Sequence, residues 1–112
     1  MFLNRLPDWL VVCFRVALLG EIYQEIRAIA VGYDEKGRVL IRYYLERDPT
    51  DLDWESVEVV ATNVDAASSE VGISRIDVEC LYVSGPLRGL PSLSGCLLYT
   101  SDAADEEDRV EL

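Results

Sequence analysis

The chain has 112 residues, of which 21 are acidic and 10 basic, and it contains no histidine, so its formal net charge is −11 at pH 7. This length supports one domain around a single modest core. Such an acidic chain is poorly suited to nucleic acid, whose phosphates require a basic surface, and a basic protein partner fits it better.

The first predicted element is a helix from about Pro7 to Leu19. Pro7 suits the first helical position, and Gly20 suits a stop after the helix. Apolar residues cover most of the helix circumference, which indicates deep burial against a sheet. The apolar run is about half of the roughly 20 residues that a membrane-spanning helix needs, and Arg15 interrupts it. We therefore expect neither a secretion signal nor a membrane partner, and a cytoplasmic location.

Two alternating apolar segments predict a β-hairpin after this helix. One face of the two strands would carry Ile29, Val31, Tyr33, Val39, Ile41, Tyr43 and Leu45. The residues 34–37 between them form the turn, with Gly37 suited to a left-handed conformation. The opposite face holds the small residues Ala28, Ala30 and Gly32 beside larger polar ones. That face is either solvated or closely approached by another element.

Helical spacing returns after the hairpin, with Trp54, Val57, Ala61 and Val64 on one stripe. Asp48 can cap this second helix and Pro49 can occupy its first turn. Asp51 and Asp53 favour the positive end of the helix dipole.

A third strand is predicted where Ile76, Val78, Cys80 and Tyr82 alternate with acidic residues. The following segment, 84–95, is rich in glycine, proline and serine, a composition that predicts a loop. The order helix, strand, strand, helix, strand predicts an α+β domain with two helices and an antiparallel sheet of three to four strands. The last strand of that sheet is expected beyond Gly95.

The C-terminal sequence CLLYTSDAAD, from Cys96 to Asp105, resembles the translation of a transposon end and primer used in sequencing libraries. Arg109, Val110 and Leu112 also fit that reading, whereas Glu111 departs from it. We interpret residues 1–95 as one domain and 96–112 as an adapter-derived tail, the alternative being a natural acidic, disordered tail. The tail holds six acids and one base, hence five of the eleven net negative charges. Its apolar start, CLLYT, is expected to fill the vacant edge of the sheet.

No constellation for catalysis is visible in the sequence. There is no histidine, no serine or cysteine beside a plausible base, and no glycine-rich segment with phosphate-loop spacing. Cys13 and Cys80 are flanked by apolar residues and are expected to be buried thiols, although a disulfide between them remains open. No enzymatic activity, zinc site or cofactor is therefore predicted.

The segment 46–58 is the densest in acids, with six acidic residues and one basic. It is either an ordinary solvated helix or a docking surface for a basic partner, where charge complementarity raises the association rate. The candidate partner-binding residues are Glu46, Asp48, Asp51, Asp53, Glu55 and Glu58. The nearby Tyr43, Tyr44 and Trp54 could anchor a partner or lie in the core.

The stretch ALLGEIYQEIRAIAVGYDEKGRVLIRYYLERDPTDLDWESVEVV, followed by IDVECLYVSGPL, resembles small immunity proteins of bacterial polymorphic toxin and contact-dependent growth inhibition systems. The resemblance implies a non-catalytic protein whose acidic surface covers the active site of a basic toxin C-terminal domain, often a nuclease. It also implies a short aromatic-rich strand after a glycine such as Gly95. Toxin-contacting residues vary within such proteins and cannot be transferred by position. The alternative is a non-catalytic homodimer or regulatory domain that associates through an exposed sheet edge.

Overall fold

The computed structural model describes residues 2–68, 72–87, 89–94 and 97–100. Its elements are α1 (Asp8–Ala17), β1 (Ile26–Tyr33), β2 (Arg38–Leu45), α2 (Asp51–Ala67), β3 (Arg75–Tyr82) and β4 (Tyr99–Thr100). The strands form one sheet in the order β3-β2-β1-β4, which confirms the predicted α+β class. Gly95, Cys96 and the acidic part of the tail, 101–112, lie outside the described residues. No helix in the described part of the chain is both long and apolar enough to cross a membrane.

The sheet is mixed, so the prediction of an antiparallel sheet was wrong for one of its pairings. β1 is antiparallel to β2 and to β4, but β2 and β3 run parallel, with Val39 opposite Ile76 and Leu45 opposite Tyr82. The reason is the connection between them. Parallel neighbours need a long crossover, and α2 supplies one by returning the chain to the end of the sheet where β2 began.

The main core lies between the two helices and one face of the sheet. Six of the seven residues predicted for the inward face of the hairpin are buried, namely Ile29, Val31, Val39, Ile41, Tyr43 and Leu45, and the seventh, Tyr33, is half-buried. The buried stripe of α2 differs from the prediction: Val60 replaces Ala61, and Trp54 is 39% exposed. Cys13 and Cys80 are buried free thiols in this core.

The opposite face of the hairpin is closely covered by the connection that follows β3. Leu87 from this connection is buried against Ala28, Ala30 and Tyr44 in a second, smaller cluster. The Tyr44 hydroxyl donates a hydrogen bond to the Pro91 carbonyl over 2.8 Å. Of the two interpretations left open for this face, the structure shows close approach. Small side chains in β1 are needed there because an irregular segment runs directly over the strand.

The start of α2 lies two residues later than predicted. Thr50 occupies the N-cap position in extended conformation, so Asp48 does not cap the helix and Pro49 precedes it.

The edge of the sheet next to β1 is formed by β4, which pairs with Ala28 and Ile29 of β1. Tyr99 and Thr100 of the CLLYT segment thus take the edge position that was expected for that segment.

Candidate protein-docking surface

Asp53 is the one candidate docking residue that is buried, and its side chain joins three parts of the chain. The Tyr23 hydroxyl donates a hydrogen bond to Asp53 Oδ1 over 2.5 Å, and Arg47 Nη1 donates to Oδ2 over 2.5 Å. The backbone N–H of Thr50 donates to the same Oδ2 over 2.8 Å. Because Asp53 is 0% exposed, its carboxylate is unavailable to a partner and instead fixes the entry into α2.

Electrostatics keeps this carboxylate ionised in the interior. Burial alone would raise the pKa of Asp53, but the hydrogen bonds from Arg47, Tyr23 and Thr50 outweigh that effect and hold the pKa well below its ordinary value. Burial and the neighbouring Asp53 charge raise the pKa of Tyr23 above its ordinary value. The phenol therefore stays protonated and continues to donate to the carboxylate at physiological pH.

The other five candidates are exposed and lie within or just before the first half of α2. Glu46 and Asp48 lie in the connection between β2 and α2, and Asp51, Glu55 and Glu58 project from the first two turns of α2. Spacings of four and three residues place these last three on one side of the helix. The structure thus groups these three acids on the outer side of α2, whereas Asp53 lies on the buried side.

Asp65 extends this surface and was not among the predicted residues. It is exposed and lies seven residues after Glu58, two helical turns further along the same side. We call Asp51, Glu55, Glu58 and Asp65 the outer acidic face of α2. The signal in the sequence was the heptad spacing, which was missed because the predicted acidic segment ended at Glu58.

Apart from Asp51, whose place in the first turn the helix dipole favours, the outer acidic face lacks local electrostatic stabilisation. α2 contains no basic residue, and within the described part of the chain none of the four acids forms an ion pair. Like charges one turn apart each cost about 0.2–0.5 kcal/mol in a helix. Asp65 stands in the last turn, where the helix dipole favours a cation. The face is therefore electrostatically unsatisfied in the free protein.

The three aromatic residues near this surface have different positions. Tyr43 and Tyr44 are 0% and 1% exposed and belong to the two cores. Burial raises the pKa of Tyr43 to about 12, and its hydroxyl lies 3.2 Å from the Ser56 hydroxyl. Only Trp54 is left partly exposed on α2, so it alone among the three remains available as an anchor.

A cavity of about 480 Å³ lies elsewhere, at the start of β2 and beside β3. Asp34, one of the acids that line it, stabilises the hairpin turn: its carboxylate accepts hydrogen bonds from the backbone N–H groups of Lys36 and Arg38 and from Arg38 Nε. These bonds lower the pKa of Asp34. Among the described residues, no group of three or more His, Cys, Asp or Glu side chains is placed to hold a metal ion.

Comparison with known protein families gives one match. The model of the MafI2 immunity protein family matches residues 7–101, which includes both helices and all four strands. No curated protein matches the chain. Immunity proteins neutralise toxins, and the partner of this family is therefore a toxin. With most of its length matched, the chain belongs to the MafI2 immunity protein family.

Proposed function

We propose that this protein neutralises its cognate toxin by binding the toxin's C-terminal domain through the outer acidic face of α2 and the adjacent Glu46 and Asp48, without catalysis. In this proposal the toxin domain is basic, most simply a nuclease whose substrate-binding surface is occluded, and the complex forms in the cytoplasm. Family membership supports a toxin partner. The face and the chemistry of the partner are inferred from the charge distribution.

The observation that carries the proposal is the unsatisfied charge on α2. α2 has five acids and no base, and one of the acids lies in its last turn. It therefore lacks the ion pairs between side chains one turn apart that ordinarily stabilise exposed helices. Local rules of this kind are broken mainly at functional sites. A basic partner would satisfy the charge on binding, and its attraction over distance would accelerate the encounter.

The test compares two triple variants that remove the same amount of charge. Asp51→Asn with Glu55→Gln and Glu58→Gln neutralises the face, whereas Asp8→Asn with Glu35→Gln and Asp77→Asn neutralises exposed acids elsewhere. The probe is the purified C-terminal domain of the cognate toxin, and its association rate is measured by stopped flow at several salt concentrations.

We expect the first variant to associate on the order of tenfold more slowly at low salt and to lose most of the salt dependence. The second variant should behave like the parent protein. Equal effects of the two variants would contradict the placement of the docking surface on α2. A nuclease assay of the toxin with and without the protein tests occlusion directly. If the toxin had no nuclease activity, only the proposal that it is a nuclease would be rejected.

A further inference from the structure

The outward side of the helical layer also carries an exposed apolar strip, which the acidic face borders. We define the interhelical strip as Val12, Val16, Leu19, Leu52 and Val59. Their exposed fractions are 57%, 57%, 76%, 73% and 40%. Most surface hydrophobic residues are scattered singly, and a group on adjoining elements marks an interaction site more often than a single residue does.

Contacts at both ends of the two helices show their relative direction. The Trp9 ring near the start of α1 covers Gly72, beyond the end of α2, where an added Cβ would lie 2.5 Å from the ring. Tyr23, in the segment after α1, binds Asp53 at the start of α2. The two helices, which contact each other, therefore run antiparallel.

Helical periodicity then places four of the five strip residues along the junction between the helices, and Leu19 follows two residues after the end of α1. Val12 and Val16 follow Trp9 by three and seven residues and so share the side of α1 that faces α2. Val16 is midway in sequence between Trp9 and Tyr23, so the antiparallel alignment places it near the middle of α2, where Val59 lies. Leu52 lies two turns before Val59 on the same side of α2. Glu55 is three residues from Leu52 and four from Val59, so the acidic face forms the border of the strip.

We propose that the interhelical strip is the apolar centre of the toxin-binding surface, with the outer acidic face of α2 as its polar rim. This inference rests on the proposed function and adds the residues that hold the partner after the encounter. The partner's contact surface would then be an apolar patch surrounded by basic residues. Interfaces of this kind place desolvated apolar anchors at the centre and charged groups around them.

Charge favours the toxin over a second copy as the occupant. A twofold dimer across the strip would use the same patch on both copies and would bring the two acidic rims together. α2 offers no basic residue to offset that repulsion, and α1 contributes only one acid, Asp8, and one base, Arg15. A basic partner converts the same rim into attraction.

The experiment separates the strip from the rim by their kinetics. Val16→Ser with Val59→Ser removes apolar surface from the strip, and Leu3→Ser with Leu81→Ser removes it from exposed positions elsewhere. Valine and serine have similar helix propensities, so the strip variant should fold, which circular dichroism and thermal unfolding verify. Binding of the purified C-terminal domain of the cognate toxin is followed by surface plasmon resonance, and the oligomeric state by sedimentation equilibrium.

We expect the strip variant to dissociate at least tenfold faster with an unchanged association rate and salt dependence, and the matched variant to behave like the parent protein. Normal dissociation of the strip variant would overturn the inference while leaving neutralisation by this family member intact. A parent homodimer that the strip variant abolishes would also overturn it. Failure of the parent protein itself to bind the toxin would reject the proposed function, and the inference with it.

Discussion

Single residues show most clearly how the sequence misleads. Asp53 stands between Asp51 and Glu55 and looks like one more solvated acid, yet it is fully buried. Its spacing to the buried Val57 and Val60, four and seven residues, is that of the core stripe. A search for apolar periodicity does not detect a polar residue on that stripe, so it does not predict that Asp53 is buried. Arg47 and Thr50, which donate hydrogen bonds to this carboxylate, are close in sequence, but the third donor, Tyr23, is thirty residues away and cannot be seen in a local pattern.

Asp53→Asn is expected to destabilise the protein by about 2–4 kcal/mol, because it leaves Arg47 without its carboxylate and weakens the start of α2. The Arg47 side chain is 38% exposed, so water compensates for part of the loss. Urea unfolding measures the difference in the free energy of unfolding. The matched control is Asp51→Asn, an exposed acid in the same turn, which should change stability by less than about 0.5 kcal/mol. Equal effects at the two positions would show that the buried contacts contribute little.

Among the elements, the hairpin was predictable and the placement of the third strand was missed. Alternation in β1 and β2 indicates their pairing because both strands bury one face and a short turn joins them. The pairing of β3 with β2 depends on the helix between them. A strand, helix, strand order favours a parallel pair, and this signal was present in the predicted order of elements. The covering of the opposite face by the segment after β3 depends on long-range contacts such as Tyr44 with Pro91.

The hairpin turn is predicted to tolerate no side chain at Gly37. This residue has φ +84°, and an added Cβ would lie 2.8 Å from the Gly72 carbonyl oxygen. Gly37→Ala should therefore cost roughly 2–4 kcal/mol, from the left-handed conformation and the backbone clash together. Gly20→Ala is the matched control, since Gly20 has φ +79° with nothing within 4 Å of the added Cβ, and it should cost about 1–2 kcal/mol. Thermal unfolding measures the loss of stability in both variants, and the difference between them is the contribution of the close contact at Gly37. Equal losses would show that the close contact contributes nothing.

The helix α2 should show a conflict between stability and binding. Asp65→Asn removes an acid from the last turn, where it opposes the helix dipole, and should stabilise the protein by about 0.3–1 kcal/mol. If the outer acidic face binds a basic toxin, the same change should slow association with the toxin. Denaturant unfolding and stopped-flow binding are measured on one preparation. Asp8→Asn is the control at the start of α1, where an acid is favourable, and it should lower stability slightly and leave binding unchanged. A stabilised Asp65→Asn variant that binds normally would place Asp65 outside the interface.

At the scale of the whole molecule, composition shows an excess of acids, from which a basic partner is proposed. The sequence also shows the acidic cluster before and within α2, and the structure leaves five of its six acids exposed. The inclusion of Asp65 follows from helical spacing alone, whereas the burial of Asp53 and the apolar strip beside α1 depend on how two helices pack on one sheet. Charge density along a sequence cannot separate an exposed acid from a buried one. Only the stripe that α2 buries makes that distinction.

The whole molecule should be stable over a broad pH range with an acid and an alkaline limit. There is no histidine to titrate between pH 5 and 7, so the free energy of unfolding should be nearly constant there. Asp53 and Asp34 have pKa values lowered by folding, so their contribution is present above the ordinary carboxylate pKa of about 3.9 and is lost as pH falls below it.

At alkaline pH the relevant pKa values are raised by folding, so stability is lost as the pH rises. Burial raises the pKa of Cys80 to about 12 and that of Tyr43 to about 12. In the unfolded chain these groups ionise near the ordinary values of about 8.5 and 10, so unfolding releases protons and stability declines above about pH 9. Urea midpoints measured from pH 3 to 11 test both limits. Cys80→Ala should reduce the alkaline decline, and Asp53→Asn should reduce the acid one. If neither variant altered the profile, other groups would have to control the pH dependence of folding.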